Sequence, residues 1–173
     1  MEQRMSAALT SPAGQGKTTL LRALARKLPD VRYRVTYLKV ADLSKRDFCR
    51  EISHALGAQS SGTYPSLLRN LQERLSQIYQ EGIRIVLILD EAHDFRPDVL
   101  GIIRLLTNFE MDSRLVVSII LAGQGGLDKL LKRDDLQDVA SRLAHRARLS
   151  LLSQNELIKY MEHRCFLAGS QTP

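Results

Sequence analysis

The sequence predicts an open α/β domain, a parallel sheet of five strands with helices on both faces. Three observations predict it. Apolar segments of strand length alternate along the chain with amphipathic helical patterns, the alternation that builds β-α-β units with right-handed crossovers. Residues 85–89 are continuously aliphatic, as a strand buried on both faces of a parallel sheet must be. A glycine-bearing turn, Ser11-Pro12-Ala13-Gly14-Gln15-Gly16-Lys17-Thr18-Thr19, stands between a short apolar stretch and a helical pattern, where such a fold passes from its first strand into its first helix.

The elements follow in order. Residues 6–9 are short and apolar and, preceding the turn, make the first and central strand. The next helix carries Leu20, Leu21, Leu24 and Leu28 on one face, turns Arg22 and Arg26 outward, and ends at Pro29-Asp30. Residues 33–40 are β-branched and aromatic in partial alternation, which suits a strand nearer an edge. Ser44 with Asp47 opens a helix whose inner face is Phe48, Ile52, Ala55 and Leu56, stopped at Gly57. After a polar loop over 58–63, the spacing of Leu67, Leu68, Leu71, Leu75 and Ile78 describes a long helix ending at Gly82. Residues 85–89 form the doubly buried strand, and Pro97 opens a helix with Val99, Leu100, Ile103 and Leu106 inward. Residues 115–122 form a second buried strand ending in Gly123-Gln124-Gly125-Gly126, and short helical patterns fill 127–143. Residues 148–152 are the fifth strand, and Ser153 with Glu156 is a capping box for a last helix through Phe166.

Composition bounds the classes. At 173 residues the chain suits one domain, burying about 70% of its unfolded surface. An apolar fraction of 44% and a charged fraction of 25% exclude a disordered chain. Cys49 and Cys165 are too few and too far apart for a disulfide framework or a zinc site, which points to a reducing, cytoplasmic setting. No secretory leader is visible and no apolar run approaches the roughly 20 residues of a membrane span, so no membrane partner is expected. The net charge of +6 permits contact with nucleic acid, but basic and acidic residues are interleaved, and charge alone selects no partner.

The chemistry lies in the strand ends. Gly14 and Gly16 let backbone N–H groups close around phosphate oxygens, Lys17 adds a point charge, Thr18 offers a hydroxyl to Mg²⁺, and the following helix aims its positive end at the same anion. Ser11 stands where the G-x-x-x-x-G-K-[ST] pattern has its first glycine. In an open α/β sheet ligands sit outside the carboxyl ends of the strands. Asp90 and Glu91, directly after the aliphatic strand, are therefore expected beside that loop, Asp90 to hold Mg²⁺ and Glu91 to accept a proton from the attacking water. Gln124 can orient that water or sense the γ-phosphate. Arg142, among Lys132, Arg133, Arg146 and Arg148, can present a guanidinium across a subunit boundary or belong to a solvated basic face. His93 has no metal-type or nucleophilic partner near it in sequence, and no ligand role is expected of it.

These residues resemble the AAA+ P-loop ATPases, within them the group of general secretion pathway protein A and the transposon-encoded target-selection ATPases. The matching stretches are residues 13–24, Ile88-Leu89-Asp90-Glu91-Ala92-His93, Leu105-Leu106-Thr107-Asn108-Phe109-Glu110, and Ile120-Leu121-Ala122-Gly123-Gln124. The resemblance implies ATP and Mg²⁺ as cofactors. Ser11, Ala13, Gly14, Gln15, Gly16, Lys17, Thr18 and Thr19 bind the nucleotide in Walker A, Asp90 and Glu91 form Walker B, Gln124 is sensor 1, and Arg142 is the arginine finger. It further implies a homo-oligomer that works on duplex DNA or with a transposase or other client. Residues 1–152 would be the ATPase core, and 153–173 the first helix of a lid that this chain does not complete. Few residues precede the first strand, where relatives hold adenine. The secretion members add a membrane span and a wall-binding region that this chain lacks, which favours the DNA-linked role. Asp90-Glu91-Ala92-His93 also resembles the DEAH helicases, but their Ser-Ala-Thr-like motif and second motor domain are missing. A nucleotide-switched scaffold is the remaining alternative.

Overall fold

The computed structural model describes residues 6–39, 42–107 and 116–169. Asn108, Phe109 and Glu110, among the residues behind the resemblance, lie outside them, as do Val40 and Leu115 at two expected strand ends. In chain order the elements are β1 (Ser6–Thr10), α1 (Lys17–Lys27), β2 (Tyr33–Lys39), α2 (Lys45–Leu56), α3 (Tyr64–Gln80), β3 (Arg84–Asp90), α4 (Pro97–Thr107), β4 (Val117–Gly123), α5 (Gly125–Leu130), α6 (Gln137–Arg142), β5 (Leu143–Arg148) and α7 (Gln154–Leu167). All five strands are parallel, in the order β2-β3-β4-β1-β5. β1 is thus interior but next to last rather than central. β2 is an edge strand, as its mixed composition suggested.

The fifth strand differs from expectation. It runs over Leu143–Arg148 and pairs with β1, while Leu151 and Leu152, read as part of it, are 73% and 52% exposed. Its polar sequence hid it. An edge strand with solvent on both faces needs no alternating apolar face, and only its first residue, Leu143, is buried; its His145, Arg146 and Arg148 also blunt a free edge.

The two faces of the sheet are covered unequally. Ile85, Leu87 and Leu89 of β3, with Ile119 and Leu121 of β4, point into the main core, filled by α2, α3 and α4. Phe48 packs edge-on against Phe95 there, ring centroids 5.8 Å apart. Val86 and Ile88, one step out of phase, meet Leu21 of α1 on the other face, with Leu9 and Ala122. β3 is therefore sealed on both faces, the physical reason for its unbroken aliphatic run. Leu20 was expected inward but is 44% exposed, and Cys49 and Ser53, not Ala55, complete the inner face of α2.

α2 ends at Gly57 in the left-handed region, and α7 begins with the expected capping box, Ser153 N–H donating to Glu156 Oε2 at 2.8 Å. No residue of α7 is buried.

Candidate functional site

The parallel strands bring Ser11–Thr19, Asp90-Glu91 and Gln124 to one rim, at the carboxyl ends of β1, β3 and β4. Gly14 and Gly16 adopt φ of 76° and 78°. A Cβ at either would touch nothing within 4 Å, so glycine is needed for conformation rather than space; an L-residue there costs about 1–2 kcal/mol. Gly16 is the N-cap of α1, whose first turn carries no acidic residue and whose cap has no side-chain bond. The first N–H groups of α1, around Lys17, Thr18 and Thr19, are thus left for an anion.

Ser11 departs from the glycine pattern without strain. It is buried, its N–H donates to Gly123 O at 3.1 Å, and its Oγ donates to Pro12 O at 3.0 Å. The residue therefore satisfies its own hydroxyl and ties the loop to the end of β4.

Asp90 is 1% exposed and fully engaged. Its Oδ1 accepts from Glu91 N–H at 2.9 Å; its Oδ2 accepts from Tyr37 OH at 2.6 Å and from Thr18 Oγ1 at 3.4 Å. Burial, then the hydrogen bond to Asp90, pushes the Tyr37 phenol up to about 12, so Tyr37 remains a donor at neutral pH. Sequence reading missed Tyr37, because only strand pairing brings Lys39 opposite Asp90 and so carries β2 to this rim.

Glu91 sits in the left-handed region at φ 57°, a conformation that costs a non-glycine residue on the order of 1–2 kcal/mol and is typical of functional positions. Its Oε2 lies 3.8 Å from Lys17 Nζ and 3.4 Å from His93 Nδ1, yet accepts no hydrogen bond and is shielded from solvent. That is a carboxylate oxygen with an open lone pair beside the phosphate loop.

Mg²⁺ fits these residues. Thr18 and Asp90 offer hard oxygen donors 3.4 Å apart, and no group of three His, Cys, Asp or Glu able to hold a metal occurs among the described residues. A site with one or two protein oxygens suits an ion that takes its remaining ligands from phosphates and water.

Gln124 is where it was expected along the chain, at the N-cap of α5. What the structure gives it is a backbone contact, its N–H lying 3.3 Å from His93 Nδ1. Arg142 is not brought to the rim. Leu143 pairs with Ser6, the amino end of β1, whereas Arg148 pairs with Thr10, so Arg142 lies at the far end of the sheet, about 13 Å along β1 at ~3.3 Å per residue.

A phosphate loop, a buried aspartate beside a threonine hydroxyl and an unbonded glutamate on a five-stranded parallel sheet define a P-loop ATPase. Residues 1–131 match the AAA domain family, and the chain belongs to that family. It is 31% identical over 167 residues to general secretion pathway protein A of Aeromonas hydrophila, which covers 95% of this chain and 30% of that protein. Among solved structures it is similar to the Aeropyrum pernix ORC2 protein in ADPNP-ADP complexes, with TM-score 0.71 and 17% identity over 95% of this chain and 46% of that one. It is also similar to the Aeropyrum pernix ORC1 protein in complex with DNA, with TM-score 0.66 and 20% identity over 96% and 44%. The chain thus spans less than half the length of each. Among the described residues no helix is long and apolar enough to cross a membrane.

Proposed function

We propose that the chain binds Mg-ATP at this rim and hydrolyses it with Glu91 as general base. The observation that carries the reading is the convergence of Lys17, Thr18, Asp90 and Glu91 from separate strand ends, with Glu91 Oε2 unbonded among them. Ser11, Ala13, Gly14, Gln15, Gly16 and Thr19 line the loop that wraps the phosphates. Lys17 leaves Glu91 for the β/γ-phosphate oxygens, and Thr18 and Asp90 hold the ion. Mg²⁺, when bound, neutralises charge on those phosphates. Glu91 Oε2 then takes a proton from the water as the water oxygen bonds to the γ-phosphorus, and the bond from that phosphorus to the β–γ bridging oxygen breaks, with ADP leaving. Gln124 orients that water from the end of β4, and Arg142, remote from its own subunit's site, serves a neighbour's in a homo-oligomer.

The reading extends to a DNA-linked role, in transposition target selection or related work, supported by the net charge of +6 and by likeness to a fold solved with DNA bound. A second reading, a secretion-pathway ATPase with a protein client, is favoured by the 31% identity to general secretion pathway protein A. Because the chain spans 30% of that protein, the absence of a membrane-crossing helix among the described residues does not separate the two.

Phosphate release measured with and without duplex DNA does. The DNA-linked reading expects turnover that requires Mg²⁺ and rises with DNA, and ATP-dependent DNA affinity that drops roughly tenfold or more between about 50 and 200 mM salt. Mg²⁺-dependent turnover indifferent to DNA, with no DNA binding, supports the protein-client reading instead. Turnover that survives chelation of divalent ions contradicts the assigned mechanism.

A further inference from the structure

His93 lies on a short 3-10 turn, Ala92–Asp94, that leaves the end of β3 immediately after Glu91. Its ring is only 15% exposed and is hemmed in by the glycines at the end of β4 and just after it. A Cβ on Gly123 would come to 3.1 Å from the His93 backbone N and 3.3 Å from Nδ1; one on Gly126 would come to 3.5 Å from His93 Cβ. Gly123 has no positive φ to explain it. The glycines make room for this ring.

The ring's two nitrogens face different partners. Nδ1 is 3.3 Å from Gln124 N–H and 3.4 Å from Glu91 Oε2, and Nε2 is 3.5 Å from Asp94 Oδ1. With the proton on Nε2, toward Asp94, Nδ1 accepts from Gln124 and leaves Glu91 Oε2 unbonded, the assignment that agrees with the contacts present. With the proton on Nδ1, the ring donates to Glu91 and gives up Gln124. One nitrogen cannot serve both.

We infer that His93 is a positioning residue: Asp94 and the Gln124 amide hold its ring so that Glu91 Oε2 stays aimed and unbonded, which couples the base to the turn after β4. The inference rests on Glu91 being the base. Its weight grows when Lys17 turns to the phosphates, because the ring then remains against the carboxylate. Misplacing a reacting group by about 1 Å can cost on the order of 10²-fold in rate.

The test compares nucleotide affinity and turnover for His93→Ala and His93→Asn, each with Glu91 and with Glu91→Gln. Asparagine puts an amide group near the position of Nδ1, where it can still accept from Gln124. His93→Ala should lower kcat about 10- to 100-fold while affinity for a fluorescent ATP analogue holds. His93→Asn should recover most of the loss, and in the Glu91→Gln background His93→Ala should cost nothing further. Wild-type kcat in His93→Ala overturns the inference, as does an equal loss in both backgrounds or equal damage by Ala and Asn in folded proteins. Should Glu91→Gln alone keep wild-type turnover, the base assignment fails, and that single variant reports it separately.

Discussion

Single side chains set the chemistry, and the two cysteines show how far environment alone separates like groups. Cys49 is fully buried in the main core, and burial pushes its thiol up to about 11; Cys165 is exposed on α7. The thiolate is the reactive form, so at pH 8 an aromatic disulfide reagent should label one thiol in the native protein and two in denaturant. Two fast-reacting native thiols would mean that α2 does not pack as described. At this scale much of the site was legible. Lys17, Thr18, Asp90 and Glu91 announce themselves because phosphate and Mg²⁺ chemistry allows few residue types at fixed spacing. Tyr37 and His93 were not, because a tyrosine on a strand and a histidine in a turn carry no local signal; only the β2-β3 register and the β3-β4 neighbourhood give them partners.

Among the elements, the turn from β4 into α5 bears most on the site. Ser11 N–H bonds Gly123 O, and Gln124 N–H meets His93, so one short segment touches both the phosphate loop and the turn that carries Glu91. Gly123→Ala tests this link without removing a functional group. The backbone there accepts any residue, and the added methyl meets the His93 backbone N at 3.1 Å and both His93 Nδ1 and Leu127 Cβ at 3.3 Å, so kcat should fall about tenfold or more as His93 is displaced, with nucleotide affinity kept. Unchanged kcat would mean that the turn yields without moving His93. The sequence marked these elements where burial is one-sided or complete, as in α3 and β3. It misled at β5, since solvent-facing edge strands lack the pattern that reading depends on, and at Leu20, since a run of leucines does not say which one faces in.

For the whole molecule, the sheet is sealed by several helices on one face and by α1 on the other, and α7 leaves Leu157, Ile158, Tyr160, Met161 and Phe166 exposed. We propose that residues 153–173 belong to a lid apart from the 1–152 core. Arg142 lies at the sheet end opposite the phosphate loop, and we propose that it serves the site of a neighbouring subunit rather than its own. Arg142→Ala and Lys17→Ala should each be inactive alone, while their mixture recovers part of the activity, one subunit giving the guanidinium and the other the intact nucleotide site. An arginine finger contributes on the order of 10³-fold in rate, so even partial recovery is measurable. Co-assembly with no recovery would remove Arg142 from the reaction.

If one rim binds nucleotide with the loop and hydrolyses it with Glu91, the paired affinity and turnover of Glu91→Gln separate the two roles. The amide keeps the size of the side chain but cannot take the water's proton. The variant should bind a fluorescent ATP analogue as the wild type does and lose about 10²-fold or more of its turnover. Turnover within a few-fold of wild type would contradict the role given to Glu91, because the base would then lie elsewhere.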